Sequence, residues 1–161
     1  MDDYVRLRIQ EPANNPPSYE TVPARKDGDA LYELKNSPGM ALGAAAGDLV
    51  RIADDDGAFE VVRRSGNVAV QCFVAKLSSS ARARAASVLE TELESLGGWL
   101  DGGSARVMIY TVPVAAGLDA ISERFEAVAQ AYRGFVWMYG NVYDVDGHTP
   151  LNWWLVTDSG D

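Results

Sequence analysis

The sequence predicts an α+β protein, and three observations carry that prediction. Short runs of alternating apolar and polar residues, broken by Gly, Pro, Asn and Asp turns, fill the first half of the chain. Two segments with apolar residues three and four apart follow, each closed by glycine. Strand-like runs lie before, between and after those two segments, so helices packed on a sheet are expected.

The elements are expected in the following order. Tyr4 to Ile9 alternates as a half-buried strand should. Pro12, Asn14, Asn15, Pro16 and Pro17 then break any sheet pairing and make an exposed connector. Tyr19 to Arg25 and Ala30 to Leu34 read as two strands around the turn Asp27-Gly28-Asp29, and a small-residue run from Met40 leads to Gly47-Asp48. Leu49 to Ala53 and Phe59 to Arg63 flank the turn Asp54 to Gly57, and Val68 to Ala75 follows the turn Ser65-Gly66-Asn67. Strands this short and close imply a small curled module, SH3-like or a similar partly open barrel.

Beyond Val68 the period changes. Ser78-Ser79-Ser80 offers capping hydroxyls, and Ala81, Ala85, Val88, Leu89, Leu93 and Leu96 recur at helical spacing up to Gly97-Gly98. Arg106 to Val112 is a strand. Leu118, Ile121, Phe125, Val128 and Tyr132 mark a second helix between Gly117 and Gly134, with Asp119 and Glu123 early where the helix dipole favours them. Phe135 to Tyr143 returns to strand. The order β-α-β-α-β suits a ferredoxin-like layer with two helices on an antiparallel sheet. The two halves are expected to share a continuous sheet through 68–75. One compact unit is expected over 1–161, with a mostly β sub-module at 1–75 and an α/β sub-module at 68–161.

Charge and composition narrow the functional classes. The 161 residues are 47% hydrophobic and carry 23 acidic against 14 basic side chains, a net charge of −9. Such a surface repels phosphates, so nucleic acid is not the expected partner; a basic protein is, because opposite potentials steer encounter. No stretch reaches the roughly 20 apolar residues of a membrane span. The acidic opening Met1-Asp2-Asp3-Tyr4 lacks a signal-peptide layout, and the single Cys72 rules out an intrachain disulfide. The expected compartment is the cytoplasm.

Catalytic and metal chemistry find little support, and no cofactor is expected. The one histidine, His148, follows the turn Asp144-Val145-Asp146-Gly147; a base oriented by Asp144 or Asp146 is conceivable, but an exposed turn histidine is the simpler reading. Cys72 shares a strand face with Val68, Val70 and Val74 and reads as a small buried hydrophobe. The acidic turns lack calcium-loop spacing, with Trp153 where a bidentate Glu would stand. Gly39, Gly43 and Gly47 lack the Lys-Ser/Thr of a phosphate cradle.

The positive signal is aromatic. Trp137, Tyr139, Tyr143, Trp153 and Trp154 crowd the C-terminal quarter beside Asp144, Asp146, Asp158 and Asp161. Alternation puts Phe135, Trp137 and Tyr139 on one strand face and Val136 and Met138 on the other. With the aliphatic face on the core, the rings turn outward as anchors for a basic partner. In the competing arrangement Trp153 and Trp154 fold back and bury them. The residues expected to bind the partner are Trp137, Tyr139, Tyr143, Asp144, Asp146 and Trp153, with a second surface at Asp54, Asp55, Asp56 and Glu60.

Tyr32-Glu33-Leu34, Asn36, Pro38, Gly43, Gly47-Asp48-Leu49-Val50 and Arg64-Ser65-Gly66-Asn67 occur in an order that resembles a widespread bacterial family, domain of unknown function 4265. The family pattern has aromatics after the proline and a His-Ser/Thr pair after Ser-Gly, where this chain has Gly39-Met40 and Asn67-Val68. The resemblance implies no catalytic residues. In size, acidity and single-domain build it is similar to small immunity proteins, which neutralise bacterial toxins. The expected function is therefore an immunity protein that binds a cognate toxin domain and occludes its active site. The rivals are a small-ligand sensor and a hydrolase reversing a toxin's modification through an unidentified acidic residue.

Overall fold

The computed structural model describes residues 3–10, 16–53 and 56–155 and is α+β, with two helices and two antiparallel sheets. The first sheet is a meander of β1 (Asp3–Ile9), β2 (Ser18–Gly28), β3 (Leu31–Leu34), β4 (Leu49–Ile52) and β5 (Phe59–Arg63), paired in chain order. Each expected strand of this half is present. Its inward residues Val5, Leu7, Val22, Ala24, Leu34 and Val50 form one apolar cluster, with Tyr32, Ile52, Phe59 and Val61 packed around it. The sheet curls enough for the Arg8 N–H on β1 to donate to the carbonyl of Gly57, in the turn between β4 and β5, at 2.9 Å.

The second sheet contains β6 (Asn67–Phe73), β7 (Trp99–Gly103), β8 (Val107–Pro113) and β9 (Val136–Tyr139), in the spatial order β7-β8-β6-β9 with every neighbour antiparallel. Helix α1 (Ser79–Glu94) joins β6 to β7, and α2 (Leu118–Ala131) joins β8 to β9. Ser78 caps α1 by accepting from the Ala81 N–H at 3.1 Å. At its other end Gly97 takes φ +79° while the Gly98 N–H returns to the Leu93 carbonyl at 2.8 Å. Ala85, Leu89 and Leu93 of α1 and Ile121, Phe125 and Val128 of α2 bury against Val68, Val70, Cys72, Met108, Tyr110 and Val112. Cys72 is thus a core residue, and burial pushes its thiol above the ordinary range. No described helix is long and apolar enough to cross a membrane.

Three expectations need correcting. The α/β half holds an additional strand, β7, whose Asp-Gly-Gly sequence reads as a turn; a bulge between Leu100 and Gly102 keeps it in register with β8. Among the described residues the two halves do not share a continuous sheet, because β6 pairs there only with β8 and β9. The last strand ends at Tyr139, and its faces are reversed: Phe135 and Tyr139 are buried, while Val136 and Met138 are 57% and 38% exposed. Register explains the reversal. Tyr139 lies opposite Val70 and Trp137 opposite Cys72, and directly paired residues share a face, here the face under α1 and α2.

The halves are joined instead by the segment between β3 and β4, which lies on the other face of the second sheet. Gly39 approaches so closely that a Cβ there would lie 2.7 Å from Ile109 Cδ1. Gln71 Nε2 donates to the Pro38 carbonyl at 3.3 Å, and the hydroxyls of Ser37 and Thr111 meet at 2.6 Å. The family-like residues concentrate at this joint. Asp48 is fully buried and accepts from the N–H of Ala45 and from both the N–H and the hydroxyl of Ser65. Arg64 lies 3.6 Å from the Asp48 carboxylate and donates to the Gly43 carbonyl, while Asn67 Nδ2 donates to that of Ala46. Burial pushes the Asp48 carboxyl above its usual value, against the opposing donors of Ser65 and Ala45 and the charge of Arg64. Gly47 turns the chain into this cluster at φ +87°, where a Cβ would also lie 2.7 Å from that of Ser65.

Candidate functional site

Four of the expected partner-binding residues line one cleft. Trp137 and Tyr139 of β9, Tyr143 and Asp144 of the segment after it, Ser122 and Glu126 of α2, and Leu42 of the joining segment line a volume of about 580 Å³. The packing of β9 against α2 sets the ring positions. Trp137 packs on Phe125 with centroids 5.6 Å apart. Tyr139 stands perpendicular to Trp137 at 5.1 Å, and Tyr143 lies 6.5 Å from Tyr139.

Hydrogen bonds hold these rings. The Tyr139 hydroxyl lies 2.5 Å from that of Ser122 and donates to the Leu118 carbonyl at 3.1 Å. Burial first, with Tyr143 and Asp119 adding to it, raises the phenol's pKa despite the Ser122 bond. Trp137 Nε1 donates to Glu126 Oε1 at 3.3 Å. Tyr143 keeps 37% of its surface exposed. The rings are therefore neither all exposed nor all covered: their inner edges complete the core and their outer parts wall the cleft.

The other expected residues lie elsewhere or act differently. Asp146 organises the turn after Tyr143, accepting from the N–H groups of His148 and Thr149 at 2.9 and 2.8 Å and from the Thr149 hydroxyl. His148 is an exposed turn residue, 3.8 Å from Asp146. Trp153 is turned into the protein: its Nε1 donates to the Asn141 carbonyl at 2.7 Å, and its ring meets Trp154 edge-on on one side and Arg64 on another. On the second expected surface Asp56 pairs with Arg8 and Glu60 with Arg51, so both carboxylates already face a cation of the same chain. Asp54, Asp55, Asp158 and Asp161 lie outside the described residues.

Sequence reasoning missed Ser122, Glu126 and Leu42. Ser122 and Glu126 are four apart and so share a helix face, and they flank the core position Phe125. That spacing was available; the partner strand that turns it into a wall was not. A second cleft, of about 540 Å³ between α1 and β7, also went unanticipated. Its walls include Leu89, Glu90, Trp99, Leu100 and Tyr110.

The Asp146 turn makes one prediction. The Thr149 hydroxyl, then the N–H groups of His148 and Thr149, hold the Asp146 carboxyl down at about 2 against an ordinary 3.8. A depressed carboxyl supports the turn above its unfolded value, and that support is lost as pH falls through the folded one. The amide resonances of His148 and Thr149 should therefore titrate with a midpoint near 2. A midpoint at 3.8 would show that these bonds do not persist in solution.

Residues 20–134 match the family described as Domain of unknown function (DUF4265). A crystal structure of a hypothetical protein from Neisseria gonorrhoeae is similar, with a TM-score of 0.64 over 87% of this chain and 94% of that one, at 13% identity. At that identity the likeness concerns the fold alone. No curated protein matches the sequence.

Proposed function

This chain belongs to the DUF4265 family, and we propose that it is an immunity protein whose aromatic and acidic cleft binds a cognate toxin domain through a basic surface, occluding the toxin's active site. The observation that carries the reading is the cleft itself. Fixed Trp and Tyr rings stand beside two carboxylates on a protein of net charge −9. Rigid aromatic anchors within a complementary electrostatic field are what tight, selective protein recognition uses. The small, acidic, single-unit build favours a toxin as the partner.

Finer features of the fold belong to the same reading. The succession β6-α1-β7-β8-α2-β9 with spatial order β7-β8-β6-β9 supports a ferredoxin-like layer. The contact of β1 with the turn between β4 and β5 supports a curled, SH3-like first module. The shared buried joint around Asp48 supports one unit over the whole chain.

A second reading has its own observation. The cleft's size is within the ordinary range for small-molecule sites, which favours a metabolite sensor. Co-expression separates the two. The tagged protein, produced with toxin-like domains encoded by neighbouring genes, should capture one of them in equal amount. The double variant E126K/D144K, folded as the wild type is, should lose it. Recovery of the protein alone, with a thermal shift from a metabolite, would favour the sensor.

A further inference from the structure

We infer that the cleft between α2 and β9 receives one guanidinium group, an arginine side chain presented by the partner. The inference rests on the partner-binding reading and names the chemistry of the contact. Among the described residues the cleft wall holds three aromatic rings and two carboxylates, and none of those residues is Lys, Arg or His. Aromatic faces attract cations through their quadrupole, and carboxylates do so through charge.

The chain's own ring contacts sharpen this. Arg6 lies over Tyr19 at 4.2 Å and Arg64 over Trp153 at 5.4 Å. Among the described residues no guanidinium of this chain covers Trp137, Tyr139 or Tyr143. Their carboxylate neighbours are half engaged: Glu126 uses Oε1 for Trp137, and Asp144 uses Oδ1 for the N–H of Val145. The second oxygen of each makes no hydrogen bond among the described residues. A group that serves this wall must stack on a flat ring and also donate to carboxylates. Guanidinium does both with a planar fork of five N–H donors. An ammonium stacks poorly, and a quaternary ammonium donates nothing.

Pre-organisation adds to the fit. The Tyr139 hydroxyl is held by Ser122 and Leu118, and the Trp137 indole by Glu126 and the Phe125 ring. The walls need not be ordered when the ligand enters, which removes a cost that binding otherwise carries.

The test uses the full chain labelled with ¹⁵N and the peptide acetyl-Gly-Arg-Gly-amide, with the neutral citrulline peptide as its isostere. The Trp137 indole N–H resonance should shift saturably with the arginine peptide and stay in place with citrulline. The single variants E126Q and D144N alter exposed side chains, so they should fold normally, and each should weaken the arginine peptide by about tenfold. An equal response to citrulline, tighter binding of tetramethylammonium, or arginine binding untouched by both variants would each overturn the assignment. Failure of the peptide while toxin capture stays sensitive to E126K/D144K would overturn it and leave the partner reading standing. Saturable arginine binding with no toxin captured would keep the guanidinium site and remove the toxin.

Discussion

Replacing Asp48 with alanine should lower the stability of the protein by about 3 kcal/mol, the low end for removing one partner of a buried ion pair. Asp48 is fully buried and gathers three donors, from Ala45 and twice from Ser65, besides the neighbouring Arg64. Its removal strands the N–H of the buried Ala45 and leaves Arg64 without its carboxylate. Arg64 keeps 27% of its side-chain surface in solvent, so water meets part of that loss and the upper range is not expected. Asparagine should recover only part, because its amide nitrogen would face a donor at one of the two oxygen positions. The pH dependence has a definite sign. Burial raises this carboxyl above its unfolded value of 3.8. The stability it contributes is therefore fully present below 3.8 and declines as pH rises through the folded value. Urea unfolding of wild type and D48A should show the gap between them narrowing from acid toward neutral pH. A gap under about 1 kcal/mol throughout would mean that the joint between the halves does not depend on this cluster.

The second large effect belongs to Glu20 on β2. Its carboxylate accepts from three consecutive backbone N–H groups, those of Gly39, Met40 and Ala41, at 2.6, 2.8 and 2.9 Å. Bonds to an ionised acceptor are the stronger kind, and Gly39 and Ala41 are buried without another acceptor for those N–H groups among the described residues. E20A should cost about 2 kcal/mol in the same unfolding measurement, and E20Q somewhat less, since one oxygen remains. The consequence reaches the site. Leu42 lines the cleft, and its backbone is held by Gln10 through bonds of 2.8 and 3.0 Å. Loosening residues 39–41 should raise amide hydrogen exchange at Leu42 and Gly43. Unchanged exchange there would show that the clamp acts only locally.

The legible parts of this protein were those fixed by local chemistry. Turn residues placed β1 to β6, and the Ser78 cap and the glycines after each helix placed α1 and α2, because each signal acts within a few residues. β7 was hidden because Asp101-Gly102-Gly103 carries turn composition, and only pairing with β8 keeps it extended. The division into two sheets was equally hidden, since it depends on which partners β6 takes. Alternation in 135–139 separated two faces correctly and could not say which lay inward. The pairing of Cys72 with Trp137 decides that, and it places the larger apolar surfaces of Phe135, Trp137 and Tyr139 toward α2. Trp137, Tyr139 and Tyr143 accordingly meet at one cleft, with their inner edges in the core rather than turned wholly outward. Trp153 does not line this cleft for a related reason: its partner, the Asn141 carbonyl, belongs to a turn whose course the sequence does not reveal.

The residues that carry the family resemblance, by contrast, were visible without their purpose. Asp48, Arg64, Ser65 and Asn67 lock the segment between β3 and β4 to the start of β6. That segment in turn covers the second sheet and delivers Leu42 to the cleft. The same joint therefore organises the fold and supports the proposed site from behind.

The most direct test of the proposed partner binding is the association rate of a toxin domain captured in the co-expression experiment, with wild type and with E126K/D144K, followed across ionic strength. At low salt the variant should associate about tenfold more slowly or worse, since like charges would replace steering ones. The difference should shrink as the screening length falls from about 10 Å at 0.1 M to about 3 Å at 1 M salt. Equal rates for the two proteins at every salt concentration would contradict the account and remove this cleft from the binding surface.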